Sequence, residues 1–223
     1  MLGWLLDLVF PRKCIVCDRR GSALCPNCRY RLPYLPPGLC GRCASHKGAR
    51  GVCHGCRRLS PALRWLRAPL VYSGPARRAV LILKFRSGRY LAPTMGQLLR
   101  EALPAMEADL VVPVPLSPGR LRARGFNQAA LLAEQITTSV HGVLAPNVLT
   151  RTDRPAQSTL SATVRMSNLK GAFVCPRPEA VRGRRILLVD DVVTTGATVS
   201  ACADTLAAAG AGRVFALAFA RDL

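Results

Sequence analysis

The chain has 223 residues, of which half are hydrophobic, so it can form one core of about 150 residues with a smaller unit attached. Its formal net charge of +20 attracts any anionic partner. Eight of the ten cysteines form Cys-x-x-Cys pairs within residues 14–56. This spacing is typical of metal ligands, so it excludes a secreted disulfide scaffold and favours a reducing compartment, the cytoplasm.

The first ten residues (MLGWLLDLVF) are the only candidate targeting segment. They lack a basic start, carry Asp7 within the apolar run and meet Arg12-Lys13-Cys14 where a cleavage site would need small residues. The segment is also too short to cross a bilayer. It is predicted to form a short amphipathic helix on the cysteine-rich unit or the main domain, with a membrane or partner contact as the alternative. No transmembrane segment is expected.

The four cysteine pairs are separated by 7, 11 and 9 residues. Eight thiolates are sufficient for two tetrahedral Cys₄ centres, which are closed and therefore structural. The short spacers favour consecutive zinc ribbons, and a cross-braced arrangement and an iron–sulfur cluster stay open as alternatives. Cys175 and Cys202 are interpreted as packing residues. The predicted Zn²⁺ ligands are Cys14, Cys17, Cys25, Cys28, Cys40, Cys43, Cys53 and Cys56.

The composition changes near Ser60-Pro61, which predicts a zinc module over residues 1–60 and a larger domain over residues 61–223. In the larger domain, apolar runs alternate with turn signals. The predicted strands are 66–72, 109–114, 186–189 and 213–220, and the predicted helices are 76–85, 90–103, 126–140 and 198–209, with Gly210 following the last helix. Strands separated by helices predict an α/β fold with a mostly parallel sheet flanked by helices.

A candidate binding site follows the buried run 186–189 (ILLV). Asp190 and Asp191 are expected just beyond the strand, where their carboxylates could accept hydrogen bonds from a vicinal diol or bind Mg²⁺. Backbone N–H groups and hydroxyls of the next turn, at the start of a helix, could hold a phosphate monoester. A simple helix-capping turn is the alternative. The candidate segment comprises Asp190, Asp191, Val192, Val193, Thr194, Thr195, Gly196, Ala197 and Thr198.

Two further segments are candidates for the same site. The first is a Pro-rich strand end and tight loop whose arginines could neutralise an anion, although an ordinary solvated turn is the alternative. Its candidate binding residues are Pro115, Leu116, Ser117, Arg120 and Arg124. The second, Arg151 to Gly171, is polar and aperiodic, and its length favours a functional mobile loop. It contains Arg151, Arg154, Gln157, Arg165 and Asn168.

The segment VDDVVTTGAT resembles the motif with which type I phosphoribosyltransferases bind 5-phosphoribosyl-1-pyrophosphate (PRPP). Together with the cysteine pairs, Lys84-Phe85 and VPVPLSPGRLRARGFNQ, it resembles the ComF/GntX family of competence-associated proteins. The resemblance implies that Asp190 and Asp191 hold the ribose hydroxyls, that residues 194–198 hold the 5′-phosphate and that the Pro-rich loop holds the pyrophosphate, with Mg²⁺ entering with PRPP. It also implies that residues 151–171 form the flexible catalytic loop.

Three functional hypotheses follow from this resemblance. The favoured one is a PRPP-binding protein that handles single-stranded DNA in natural transformation or DNA utilisation, together with other competence or DNA-processing proteins. The second is an active transferase with an unassigned acceptor, in which Asp190, Asp191, Arg151 and Arg165 are catalytic. The third is an adaptor with a vestigial site. DNA is expected on the zinc module near Trp65 and Tyr30, at Arg12, Arg19, Arg20, Arg57, Arg58, Arg64 and Arg67.

Overall fold

The structure is a computed structural model and describes residues 12–46, 53–152 and 171–223. The predicted amphipathic helix within residues 1–10 lies outside the described residues, as does most of the predicted mobile loop, residues 153–170. The described chain forms a six-stranded parallel sheet with helices on both faces and two cysteine clusters along its N-terminal part.

All six strands of this sheet are parallel, in the order β1-β8-β7-β3-β4, and β2 also pairs with β8. The last strand, β8, therefore lies between β7 and the pair β1 and β2. A separate antiparallel pair is formed by β5 and β6. The bounds are β1 Leu63–Arg67, β2 Leu70–Val71, β3 Leu110–Pro113, β4 Val143–Leu144, β5 Thr150–Arg151, β6 Phe173–Val174, β7 Arg185–Val193 and β8 Arg213–Arg221.

The described α-helices are α1 Pro26–Tyr30, α2 Gly74–Leu83, α3 Ala92–Ala102, α4 Pro118–Arg124, α5 Gln128–Glu134 and α6 Ala197–Ala208. Short 3₁₀ turns occupy His54–Arg58, Arg86–Leu91, Thr137–Val140 and Pro178–Ala180. Helix α6 ends in a Schellman motif, in which Gly210 at φ 91° donates to Ala207 O and Ala211 N donates to Leu206 O. The predicted role of Gly210 is therefore confirmed.

The sheet separates two hydrophobic cores, because successive side chains of a strand point to opposite faces. Leu187 and Val189 of β7 belong to the core that also contains α2, α3 and α5. Ile186 and Leu188 belong to the other core, which contains α6. Burial on both faces explains the continuous apolar run in β7.

The two cysteine clusters pack on opposite faces of this sheet. Ile15, Ala23 and Leu32, beside the first cluster, join the core of α2 and α3. Cys43 and Leu59, in and beside the second cluster, join the core of α6. The segment between the clusters crosses the sheet edge at β2, where Val71 N donates to Pro33 O at 2.7 Å and Leu35 N donates to Pro69 O at 2.9 Å.

The predicted elements are present, with three changes of detail. The strand predicted over 66–72 is two short strands, β1 and β2, and the helix predicted over 126–140 is α5 followed by a 3₁₀ turn. The largest change is in β7, which was predicted to end at Val189. It continues to Val193 because β8 pairs with it along its whole length.

Candidate functional site

The cysteines form two compact groups in the consecutive arrangement. Cys14, Cys17, Cys25 and Cys28 form one group, Cys40, Cys43, Cys53 and Cys56 form the other, and the ligand atoms of each lie within 4.8 Å of one another. Four sulfurs bound to zinc at about 2.3 Å lie about 3.8 Å apart, so both groups fit a tetrahedral Zn²⁺ site. The consecutive pairing is confirmed and the cross-braced alternative is wrong.

Backbone N–H groups support the first cysteine of each group. Cys25 N donates to Cys14 Sγ, and Arg42 N donates to Cys40 Sγ, both at 3.5 Å. Burial raises the pKa of Cys14, but hydrogen bonds from the backbone of Cys25, Cys17 and Val16 outweigh it, and the pKa falls to about 6. Because the thiolate is the form that binds metal, these contacts favour the metal-binding form of Cys14.

The two adjacent carboxylates lie inside β7, and the prediction that they follow the strand is wrong. Asp190 pairs with Ala218 of β8, and both Asp190 and Asp191 are buried. Because side chains alternate along a strand, Asp190 lies on the face of Ile186 and Leu188, and Asp191 lies on the opposite face.

The two carboxylates have different surroundings. Asp190 Oδ1 accepts from the backbone N–H of Asp191 at 2.8 Å. Burial, and then the neighbouring Asp191, raise the pKa of Asp190 well above its usual range. Asp191 Oδ2 instead lies 3.3 Å from Lys84 Nζ, at the end of α2, and the Arg124 guanidinium is close enough to interact with it electrostatically. Asp191 is therefore the carboxylate of the two that forms a salt bridge.

Residues 194–198, the predicted phosphate loop, form the turn after β7 and the start of α6. Gly196 adopts φ 83° and is the N-cap of α6, and Thr195 Oγ1 accepts from Ala197 N at 3.3 Å. The N-terminus of this 12-residue helix therefore faces the turn. On one side Gly196 is covered by Leu59 of the second ribbon, so any larger residue at this position would collide with Leu59.

The second predicted anion loop is partly helical, which corrects the prediction of a tight loop through Arg120. Ser117 caps α4, its Oγ accepts from Arg120 N at 3.4 Å, and Gly125 ends the helix at φ 77°. Pro115 and Leu116 connect β3 to this helix and are half-buried. Arg124 lies toward Asp191 and donates to Gln128 Oε1, whereas Arg120 is exposed. Of the two candidate arginines, Arg120 and Arg124, the fold brings Arg124 toward Asp191.

The predicted catalytic loop is described only at its ends. The Arg151 guanidinium lies 5.4 Å from the ring centre of Phe173, so β5 and β6 hold its base. Arg154, Gln157, Arg165 and Asn168 lie outside the described residues. Cys202 is fully buried within α6, and Cys175 packs at the edge of the same core, as predicted.

Arg221, at the end of β8, is a buried cation that the sequence analysis missed. It pairs with Val193 of β7, directly before the predicted phosphate loop. Burial lowers its pKa, and the cysteines of the second cluster raise it. Arg221 also borders a cavity of about 400 Å³, whose other lining residues are Ser45, His46, Gly55, Thr194, Thr195, Asp222 and Leu223. An arginine that ends an apolar strand shows no sequence signal of burial.

Comparisons with known proteins agree with this architecture. The double zinc ribbon domain matches residues 5–57, and the phosphoribosyl transferase domain matches residues 122–222. Together, fold and site define a type I phosphoribosyltransferase domain preceded by a double zinc ribbon. The allosteric regulatory enzyme of purine biosynthesis aligns with a TM-score of 0.44 and 18% identity over 62% of this chain and 30% of that chain. This chain thus spans less than a third of that enzyme's length.

Relatives along nearly the whole chain give the family. DNA utilization protein YhgH of Escherichia coli (strain K12) is 35% identical, over 94% of this chain and 90% of that protein. Competence protein F of Haemophilus influenzae is 31% identical, over 86% of this chain and 89% of that protein. Competence protein ComFC of Bacillus subtilis is 27% identical, over 83% and 85%. The chain belongs to this ComF family of competence and DNA utilization proteins.

Within the described ranges, no helix is long and apolar enough to cross a membrane.

Proposed function

We propose that the protein binds Mg·PRPP at the sheet edge formed by Asp190, Asp191 and residues 194–198. The observation that carries this proposal is the pairing of Asp191 with Lys84 directly before the Gly196 turn and α6. A salt-bridged carboxylate beside a helix N-terminus suits a ligand with both hydroxyl and phosphate groups. Arg124 supplies a second cation toward the pyrophosphate.

Mg²⁺ is expected to bind mainly through the ligand. Asp191 is already paired with Lys84, and Asp190 lies on the opposite face of the sheet, so the two carboxylates do not converge on one ion. Mg²⁺ in nucleotide sites commonly combines one or two carboxylates with phosphate oxygens and waters. The protein would therefore hold the ribose and phosphate groups, and the pyrophosphate would hold the metal ion.

The test is calorimetric titration of Mg·PRPP into a variant carrying Asp190→Asn and Asp191→Asn. A hydrogen bond to a charged group contributes about 1.5–3 kcal/mol, so losing the one to the salt-bridged Asp191 should by itself lower the affinity at least tenfold. Asp109→Asn is the matched control, because Asp109 pairs with Arg185 at the opposite end of the strands. Equal affinity in a folded double variant and in the wild type would contradict the proposed site.

We further propose that the protein handles single-stranded DNA in a groove shared by the second ribbon and the sheet edge. The proposal rests on a cavity of about 830 Å³ in which arginines surround aromatic rings, with no acidic residue among its described lining. Trp65 and Phe215 lie there with ring centres 5.1 Å apart. The cationic lining residues are Arg42, Arg57, Arg64 and Arg213.

This groove changes the predicted DNA surface. Arg57 and Arg64 lie in it, and Arg67 stacks on Trp65 at 5.5 Å. Arg12, which lies beside the first ribbon, instead stacks on Tyr90, with its guanidinium carbon 5.9 Å from the ring centre. Because Arg213 and Phe215 belong to β8, the proposed surface extends beyond the zinc module. Deleting residues 1–60 would expose both hydrophobic cores. Point variants are therefore the better test of DNA binding at this surface.

Oligonucleotide binding should be measured against salt for a variant carrying Arg57→Ala, Arg64→Ala and Arg213→Ala. Each phosphate neutralised on a single strand contributes about 0.7 to the slope of log affinity against log salt, so the slope should fall by about 2. Alanine at the exposed Arg77, Arg78 and Arg177 is the charge-matched control. Equal losses in both variants, or equal binding of heparin and duplex DNA, would indicate a non-specific polyanion surface.

The location proposed with this function is the cytoplasm, because the eight cysteine ligands must stay reduced to bind zinc.

A further inference from the structure

The guanidinium of Arg221 is a buried charge with few partners. Arg221 is only 4% exposed, and Nη2 donates to Ser45 Oγ at 2.6 Å. Nε and Nη1 are buried and have no hydrogen-bond partner among the described residues. Within the same residues, no carboxylate forms a salt bridge with this guanidinium. A buried cation is unfavourable without a compensating charge nearby.

The compensating charge lies in the second cysteine cluster. Ser45, which accepts from Arg221, immediately follows the knuckle of Cys40 and Cys43, and its carbonyl accepts from Cys40 N at 2.9 Å. A methyl group added at Gly55 would lie 2.7 Å from Ser45 Oγ and 3.2 Å from Cys43 Sγ, so hydroxyl and sulfur are neighbours. Four thiolates around Zn²⁺ carry a formal charge of about −2, which an adjacent cation stabilises.

The same arginine is attached to the phosphate loop. Arg221 pairs with Val193, and the backbone of Asp222 donates to Val193 O at 2.9 Å. Thr194 and Thr195 follow directly and share the 400 Å³ cavity with Arg221 and Ser45. A movement of the guanidinium would therefore disturb the metal cluster and the loop together.

A second set of contacts joins the ribbon to the far side of the loop. Leu59 covers Gly196, and Ser60 N donates to Ser200 Oγ in the first turn of α6 at 3.0 Å. The loop is thus held between Leu59 and Arg221, both of which depend on the second ribbon. Among the described lining residues of this cavity, none belongs to the first cluster.

We propose that Arg221 is a positioning residue that couples the second zinc centre to the phosphate loop. Zinc at this centre holds Ser45, Arg221 and the loop in the conformation that binds a phosphate group. Since coupling between two binding events is reciprocal, phosphate binding strengthens the binding of this zinc, and the tighter complex is expected to release its zinc more slowly. The inference rests on the proposed PRPP site, and it assigns to the second ribbon a role that the first ribbon does not have.

The experiment follows zinc transfer from the full-length, zinc-loaded protein to a chromophoric chelator. Arg221→Met keeps the approximate side-chain length and removes the charge. It should speed the release of one of the two zinc ions at least tenfold and leave the other within twofold. Arg221→Lys should restore most of the slow rate, and Arg177→Met, at an exposed site, is the control. Cys14→Ser, which leaves only the second cluster complete, assigns the affected phase.

The coupling is measured by repeating the assay with saturating Mg·PRPP. Release of the second zinc from the wild type should slow at least tenfold, release of the first should not change, and Arg221→Met should abolish the effect. Cobalt substitution adds a spectroscopic readout, because the thiolate-to-metal bands of the second centre should shift in Arg221→Met and recover in Arg221→Lys. The affinity of Arg221→Met for Mg·PRPP should fall about tenfold.

Two results would overturn the inference. One is wild-type zinc release in folded Arg221→Met, and the other is PRPP binding without any change in zinc release. If Arg221→Met does not fold, Ser45→Ala removes the same contact from the ribbon side and should show the same changes at smaller amplitude. A wild-type protein that does not bind Mg·PRPP would disprove the proposed function, whereas the effect of Arg221→Met on zinc release is measured without that ligand.

Discussion

The two zinc ribbons have the same four-cysteine chemistry but different surroundings. The first packs beside α2 and α3, on the face of the sheet that also carries Asp191 and Lys84. The second packs beside α6, contacts the proposed phosphate loop through Leu59, and reaches Arg221 of β8 through Ser45. Identical metal sites can therefore have different consequences, because the residues next to the ligands decide what the metal stabilises.

The largest expected effect comes from removing one zinc ligand from either ribbon. Cys14→Ser and Cys40→Ser should each lose about one zinc per chain, because each removes one of four ligands. The affected ribbon should then lose stability, because zinc contributes about 10–16 kcal/mol to the folding of small modules. Elemental analysis gives the zinc content, and limited proteolysis with mass spectrometry locates the loosened segment. Cys14→Ser should expose protease cleavage sites before Tyr34. Cys40→Ser should instead expose cleavage sites in the second ribbon and in the proposed phosphate loop. Loss of both ions in either variant, or iron in place of zinc, would contradict this.

Truncating one buried leucine beside each ribbon tests the same difference through packing. Leu32→Ala and Leu59→Ala should each lower the free energy of unfolding by about 2–5 kcal/mol, because both side chains are buried. Only Leu59→Ala should also weaken Mg·PRPP binding, because Leu59 covers Gly196. Urea unfolding and calorimetry separate the two effects. Equal PRPP affinity in both variants would show that the leucine does not support the loop.

The polar junction between the second ribbon and α6 should contribute less. Ser60 Oγ donates to Asp204 Oδ1 and accepts from Ala62 N at 3.0 Å. Since Asp204 is exposed, Ser60→Ala should reduce the free energy of unfolding by only about 1–2 kcal/mol. A double-mutant cycle with Asp204→Ala isolates the pair. Additive effects would show that the serine stabilises the junction without this hydrogen bond.

The smallest effect is expected at the ion pair between the first ribbon and α3. Arg29 and Glu101 form this pair with side chains 30% and 46% exposed. Solvent screens such pairs, so Glu101→Gln should cost about 0.5 kcal/mol or less at low salt and nothing at high salt. Unfolding curves at two salt concentrations measure this. A loss above about 1.5 kcal/mol would mean that the first ribbon depends on the pair more than its exposure implies.

Local patterns were sufficient to predict the main strands and helices of the larger domain and the two cysteine clusters. The spacers between cysteine pairs favoured consecutive clusters, because short spacers keep adjacent pairs close together. The apolar run 186–189 and Gly210 correctly indicated a buried strand and a helix end. Each of these features depends on residues close together in sequence.

The site details that were missed depend on distant residues. Asp190 and Asp191 were predicted to follow the strand, because carboxylates are rarely found within a buried strand. β8 nevertheless pairs beyond them, and Lys84 neutralises Asp191. Arg221 resembled a solvated strand end, and only its contact with Ser45, far earlier in the chain, reveals that it is buried.

The position of β8 also has a consequence for protein synthesis. The zinc ribbons and β1 leave the ribosome early, but Leu63 and Leu66 of β1 pair with Val214 and Ala216, near the end of the chain. Until those residues emerge, the nascent chain exposes an apolar strand edge whose proper neighbour does not yet exist. The cysteine ligands emerge before those residues, so zinc can bind and keep the N-terminal part of the chain compact before β8 is available for pairing.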